Sequence, residues 1–117
     1  MNPQTSEPVT TEKRIRPADT KPFAGSRDFG ILIRKQIEHA LGEGEQVVLD
    51  LAGVEDMTPS FADECLGRLS EERREDVTEH TVRVVSGEKF RPLISAVIRI
   101  RLQRALAHPH LDKLDPQ

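Results

Sequence analysis

The sequence holds no tryptophan and no tyrosine, only four phenylalanines, and a single cysteine. One cysteine rules out an intrachain disulfide, so stability has to come from packing. The shortage of aromatic rings argues against a single-strand nucleic-acid surface, which stacks bases on several aromatic faces. No stretch approaches the roughly 18 consecutive apolar residues of a membrane span. The first residues lack the charged-then-apolar pattern of a signal peptide. Neither sign of charge dominates: 17 basic against 20 acidic side chains leave a formal net charge of −3. That balance predicts solubility, with no strong pull on nucleic acid or anionic lipid. The expectation is a cytoplasmic protein with no membrane partner, and nucleic acid is disfavoured.

A chain of 117 residues suits one domain. Its apolar residues concentrate between Phe23 and Leu106, so the middle can build a modest core. Residues 1–21 read as a flexible N-terminal arm carrying a short edge strand around Ile15, ended by Pro17, which has no amide proton to donate. Residues 22–107 form the expected domain, and residues 108–117 a polar, proline-containing flexible tail.

Within the domain, Phe29, Ile33, Ile37, Ala40 and Leu41 recur at helical spacing, predicting a helix over 26–41. Ser26 is its expected N-cap, and Gly42 stands where a left-handed C-cap would fall. The run Gln46–Leu51 is short, β-branched and aliphatic, as in a parallel strand covered on both faces. A loop over 52–59 then leads to a helix from Ser60 to Glu72, with the stripe Phe61, Cys65, Leu66 and Leu69. Cys65 reads as a small core residue. Residues 71–80 form a charged connection, Thr81–Ser86 a strand, and Phe90–Ala107 the last helix. Alternation of this kind implies an α/β fold: a small layered domain with a mostly parallel or mixed central sheet and helices packed on it.

The residues able to carry chemistry or recognition gather around one segment. Ser60 and Asp63 have the spacing of a capping box, in which hydroxyl and carboxylate each satisfy an orphaned backbone N–H. Asp63 and Glu64 fall in a first helical turn, where the helix dipole favours negative charge. Asp50 interrupts an apolar run, and a buried carboxylate needs hydrogen bonds or a cation. The N–H groups of the following loop are the expected donors. Carboxylates without a nearby histidine or phosphate loop are a poor enzyme signal. His39, His80, His108 and His110 are scattered, and no nucleophile elbow is present. No catalytic residue, metal site or cofactor is therefore assigned. In the last helix, Arg91, Arg99, Arg101 and Arg104 spread around the axis instead of forming a groove-reading stripe. Arg101 falls on the apolar side, among Phe90, Ile94, Val97 and Ala105, where an unpaired charge would be costly; it can snorkel outward or pair with a carboxylate, and the expectation is contact with an acidic side chain or backbone carbonyls.

Val47-Val48-Leu49-Asp50-Leu51, then Gly53-Val54, then Ser60-Phe61-Ala62-Asp63-Glu64, with Gly25-Ser26-Arg27 and Arg34 upstream, resemble a STAS-like family of unknown function. That family is related to the STAS domains, the sulphate-transporter and anti-sigma-factor-antagonist modules. The resemblance covers roughly residues 22–105. It implies a small bacterial or archaeal regulatory domain that binds a protein partner, such as a kinase-like ATPase or an anti-sigma factor, and acts by partner switching. It also places the phosphorylatable loop position of ordinary STAS antagonists on Ser60. Here Thr58-Pro59-Ser60 stands in place of an Asp-Ser-Ser type stretch, and Phe61 replaces a glycine and is expected to crowd a kinase's approach. Asp50, Thr58, Ser60, Phe61, Asp63 and Glu64 form the candidate regulatory or partner-binding set. Two other classes stay open: a nucleic-acid-associated regulator using the arginines of the last helix, and a small enzyme using Asp50, Asp63 and Glu64.

Overall fold

The computed structural model describes residues 11–107. The expected tail, with His108 and His110, and residues 1–10 of the expected N-terminal arm lie outside the described residues. Strand β1 (Glu12–Ile15) leads through a 3-10 turn (Pro17–Asp19) and β2 (Phe23–Ala24) into helix α1 (Arg27–Gly42). Strands β3 (Gln46–Asp50) and β4 (Asp56–Met57) follow. A continuous helical rod comes next, built from α2 (Pro59–Ala62), a π turn (Asp63–Gly67) and α3 (Arg68–Arg73). The short α4 (Val77–His80), β5 (Val82–Val85), a 3-10 turn (Glu88–Phe90) and α5 (Arg91–Ala107) complete the order.

The main sheet has the order β1-β3-β5, and both pairings are parallel. The apolar run at 46–51 thus becomes the interior strand, as its patterning predicted. Val47 lies opposite Lys13 and Val82, and Leu49 opposite Ile15 and Val84. Val47, Leu49, Ile15 and Val82 enter the hydrophobic core with Ile33 and Ile37 of α1 and with Leu66 and Leu69 of the rod. Val48 points the other way. It is buried outside that core, and its register partners are Arg14 and Arg83.

Three local expectations are corrected. The left-handed residue after α1 is Gly44 (φ +79°), while Gly42 is the last helical residue. The helix runs one residue further before Glu43 N–H turns back to the last carbonyls. The charged connection at 71–80 contains α4. Asp76 caps it by accepting from Thr78 N–H at 2.9 Å, and fully buried Val77 anchors it. The loop at 52–59 contains β4, which pairs parallel with β2. A two-residue strand is too short to leave a periodic trace.

The rod packs between α1 and α5, and its backbone approaches both closely. A Cβ on Gly30 of α1 would stand 2.8 Å from the Phe61 carbonyl oxygen. A Cβ on Gly67 would stand 2.9 Å from Asp63 Oδ1 and 3.5 Å from the Val97 carbonyl oxygen. The absence of side chains at these two points sets the interhelical distance.

Candidate functional site

The segment singled out by sequence forms the start of the rod and its π turn. Thr58, not Ser60, is the N-cap: its Oγ1 accepts the Phe61 N–H at 3.2 Å, and its carbonyl accepts the Ala62 N–H at 3.1 Å. The capping-box reading of Ser60 with Asp63 is therefore corrected. Pro59 occupies the first helical position, where its fixed φ suits the helix and its missing N–H costs nothing, so the helix begins before Ser60. The Thr58 N–H also donates to the Ala24 carbonyl at 2.9 Å, which ties the cap to the β2–β4 ribbon.

Ser60 is half-buried and lines a hollow of about 260 Å³ with Arg27, Pro59, Asp63, Val97 and Ile100. Phe61 does not crowd that surface. It is 1% exposed and meets the Phe29 ring at 5.3 Å between centroids. Helical geometry turns position 61 toward α1 and the core, so the aromatic is a packing residue.

Asp63 and Glu64 are held by arginines from three helices. Arg101 of α5 donates through Nε to Asp63 Oδ1 and through a terminal nitrogen to Asp63 Oδ2, both at 2.8 Å. Its other terminal nitrogen meets Glu71 at 2.6 Å. The expectation that Arg101 is paired is met, and pairing with two carboxylates is why a charge can sit on the apolar side of α5. The Arg101 hydrogen bond is the main cause that holds the Asp63 carboxyl below the usual aspartate range. The same contact raises the Arg101 guanidinium above its ordinary value.

Glu64 is buried deeper, with 5% of its side chain exposed. Arg27 reaches one oxygen at 2.7 Å, and Arg68 and Arg34 reach the other at 3.2 and 3.4 Å. Arg34 Nε also donates to the Glu64 backbone carbonyl at 3.0 Å. The widened π turn lies between these contacts, and such turns often mark functional places in helices. Arg27 bridges the two acids, standing 3.5 Å from Asp63, and its Glu64 hydrogen bond raises its pKa above the ordinary value. Glu72 and Glu38 extend the network on the surface through Arg68 and Arg34.

Asp50 stands apart at the carboxyl end of β3. It accepts the Ala52 N–H at 2.9 Å, as expected of a loop following a strand, and the Arg14 guanidinium at 2.8 Å. The Ala52 hydrogen bond is the largest cause that lowers its pKa, with Arg14 and Arg16 adding to it. No hydrogen bond or ion pair joins Asp50 to the Asp63–Glu64 network among the described residues. Asp50 and Asp63 are both held toward the ionised form, the opposite of the raised carboxyl that a general acid requires. Cys65 is fully buried between these elements, and desolvation pushes its thiol up to about 12.

The arginines of this network were the harder part to foresee. Arg27 and Arg34 lie seven residues apart, on the flank of α1 that carries Gly30. A cationic pair on that flank facing a motif with adjacent acids was the available signal. Arg14 and Arg16 sit in a segment with no helical or strand periodicity to orient them.

Residues 30–91 match the family described as the STAS-like domain of unknown function (DUF4325). The match spans just over half of the chain, and the chain belongs to this family. Neither a curated protein nor a solved structure matches it.

Proposed function

We propose that this STAS-like domain is a non-enzymatic regulatory module that binds a protein partner in the cytoplasm and acts by partner switching. Its regulatory surface is the loop and helix start from Thr58 to Glu64. The partner class is a kinase-like ATPase or an anti-sigma factor, as the family resemblance implies. One observation carries the reading: Ser60 is free of the capping duty that Thr58 performs, and it lines a hollow beside the exposed guanidinium of Arg27. The neighbouring carboxylates are occupied by arginines, so the site offers recognition more readily than acid–base chemistry.

A phosphate on Ser60 would add about −1.5 to −2 charges. Arg27 lines the same hollow and could receive it, while Asp63 would oppose it at close range. Such a group changes the surface more than the fold, since the helix keeps its cap at Thr58. The test compares wild type, Ser60→Ala and Ser60→Asp in pull-downs from the native host, with mass spectrometry of the wild-type protein. Different partners for the Asp variant, and a phosphate on wild-type Ser60, are expected. Identical partners for all three, with no phosphate at Ser60, would refute the switch.

A further inference from the structure

Among the described residues four arginines hold Asp63 and Glu64, and they are not equally free to move. Arg101 is pinned by three hydrogen bonds, two at 2.8 Å and one at 2.6 Å, and is largely buried. Arg34 is buried and also tied to the Glu64 backbone carbonyl at 3.0 Å. Arg68 is half-exposed, but it reaches Glu64 from one turn further along the rod and does not line the hollow at Ser60. Of the four, only Arg27 is both exposed, at 52% of its side chain, and part of that hollow. One terminal nitrogen of Arg27 makes both of its contacts, at 2.7 Å to Glu64 and 3.5 Å to Asp63.

Glu64 can release this cation. Arg68 and Arg34 remain on its other oxygen at 3.2 and 3.4 Å, so the buried carboxylate keeps compensating charge. Ser60 precedes Glu64 by four residues, which is one helical turn or about 5–6 Å along the rod. A long arginine side chain spans that step by changing rotamer.

We propose that Arg27 is a transferable clasp: when Ser60 carries a phosphate, the guanidinium leaves Glu64 and closes on the phosphate, one turn nearer the start of the rod. The proposal rests on the reading of Ser60 as the switch residue and names how the fold registers the switch. The phosphate comes from a nucleoside triphosphate held by a kinase-like partner. A bond forms between Ser60 Oγ and the γ-phosphorus, and the bond from that phosphorus to the β–γ bridging oxygen breaks. The nucleoside diphosphate leaves, and the hydroxyl proton passes to a base of the partner. The new group carries about −1.5 to −2 charges and offers a guanidinium two oxygens at once. Glu64 is a single charge already shared with two other arginines. Asp63 stays with Arg101, whose fork occupies both of its oxygens, and it is the acid that opposes the phosphate within the hollow. The contact between α1 and the rod thus slides by one turn while the Thr58 cap stays in place. A partner then meets a phosphate–guanidinium pair in place of a bare phosphate.

The test uses the full chain with phosphoserine installed at position 60 during translation, so no host kinase is needed. Phosphorus NMR titration reads the second phosphate pKa, ordinarily about 6. A guanidinium on the dianion lowers it, and the Asp63 charge raises it. Arg27→Gln should raise it by about 0.5 pH units or more, and Arg27→Lys, which keeps the charge without the fork, should raise it by less. Arg68→Gln should leave it within about 0.2 pH units of wild type. In carbon NMR the Glu64 carboxyl resonance should shift on phosphorylation as the guanidinium departs, and most of that shift should vanish in Arg27→Gln. A phosphate pKa unchanged in both Arg27 variants overturns the proposal. So does an Arg68→Gln effect as large as that of Arg27→Gln, or a Glu64 resonance that phosphorylation leaves unmoved. Exchange seen by NMR, with identical host partners for wild type, Ser60→Ala and Ser60→Asp, supports the clasp while counting against the switch. Host partners that change with Ser60, in a chain whose phosphate ignores Arg27, overturn the clasp alone.

Discussion

Replacing Arg101 by methionine should cost more than any other single change on α5. Methionine keeps most of the length and apolar stem but removes the cation that Asp63 and Glu71 share. In the folded protein 13% of the Arg101 side chain is exposed, and its two acids are three-quarters or more buried. Removing one member of a buried pair leaves uncompensated charge and typically costs about 3–5 kcal/mol. Two contacts soften the loss here: Arg27 remains 3.5 Å from Asp63, and Arg104 remains 3.5 Å from Glu71. The expected destabilisation is therefore about 2–4 kcal/mol. For a domain of this size each kcal/mol lowers Tm by about 4–8 °C, so circular dichroism melts resolve it easily. The pH dependence gives a second readout. The folded-state pKa of Asp63 is lowered, chiefly by Arg101, from an ordinary value of 3.8. The stabilisation is thus complete above that value and is lost as pH falls through the folded pKa. The gap between wild type and Arg101→Met should narrow in acid. A loss below about 0.5 kcal/mol at neutral pH would refute the reasoning, as would a gap that stays constant in acid.

Two further outcomes bear on the same region. Thr58→Ala should cost about 0.5–2 kcal/mol in chemical denaturation, whereas Ser60→Ala should stay within about 0.5 kcal/mol of wild type; the reverse order would restore Ser60 as the cap. Cys65 should resist iodoacetamide at pH values well below about 12 while the protein is folded, and react only under denaturing conditions; native-state labelling as fast as that of the unfolded chain would contradict its burial.

The elements that were legible in the sequence share one property: their signal is local. The period of Phe29, Ile33 and Ile37 needs only one helix to express itself, as does the Ser26 cap, whose Oγ accepts the Phe29 N–H at 3.0 Å. Continuous apolar patterning was enough to make 46–51 an interior strand, because side chains apolar on both faces need cover on both sides of the sheet. The pairing of Arg101 was legible from its place on the wheel, although its partners were not. What escaped depended on distant chain. The N-cap shifted to Thr58 because Pro59 can open a helix as well as end a strand, and the Ala24 carbonyl holds Thr58 from the β2–β4 ribbon. The π turn has no compositional mark of its own. It sits where Glu64 meets Arg68 one turn on and, from the distant α1, Arg27 and Arg34.

The arginine clasp also has a consequence for where this domain can be cut. The segment that places the chain in its family, residues 30–91, includes Asp63, Glu64 and Glu71 but neither Arg27 nor Arg101. It omits β1 as well, so a fragment trimmed to those limits would leave β3 an open edge and Asp50 without its two cations. The excised piece would carry its acids with only Arg34 and Arg68 to answer them. The family's recognisable stretch is thus shorter than the length of chain that completes these ion pairs, and the cations that make up the difference come from both ends.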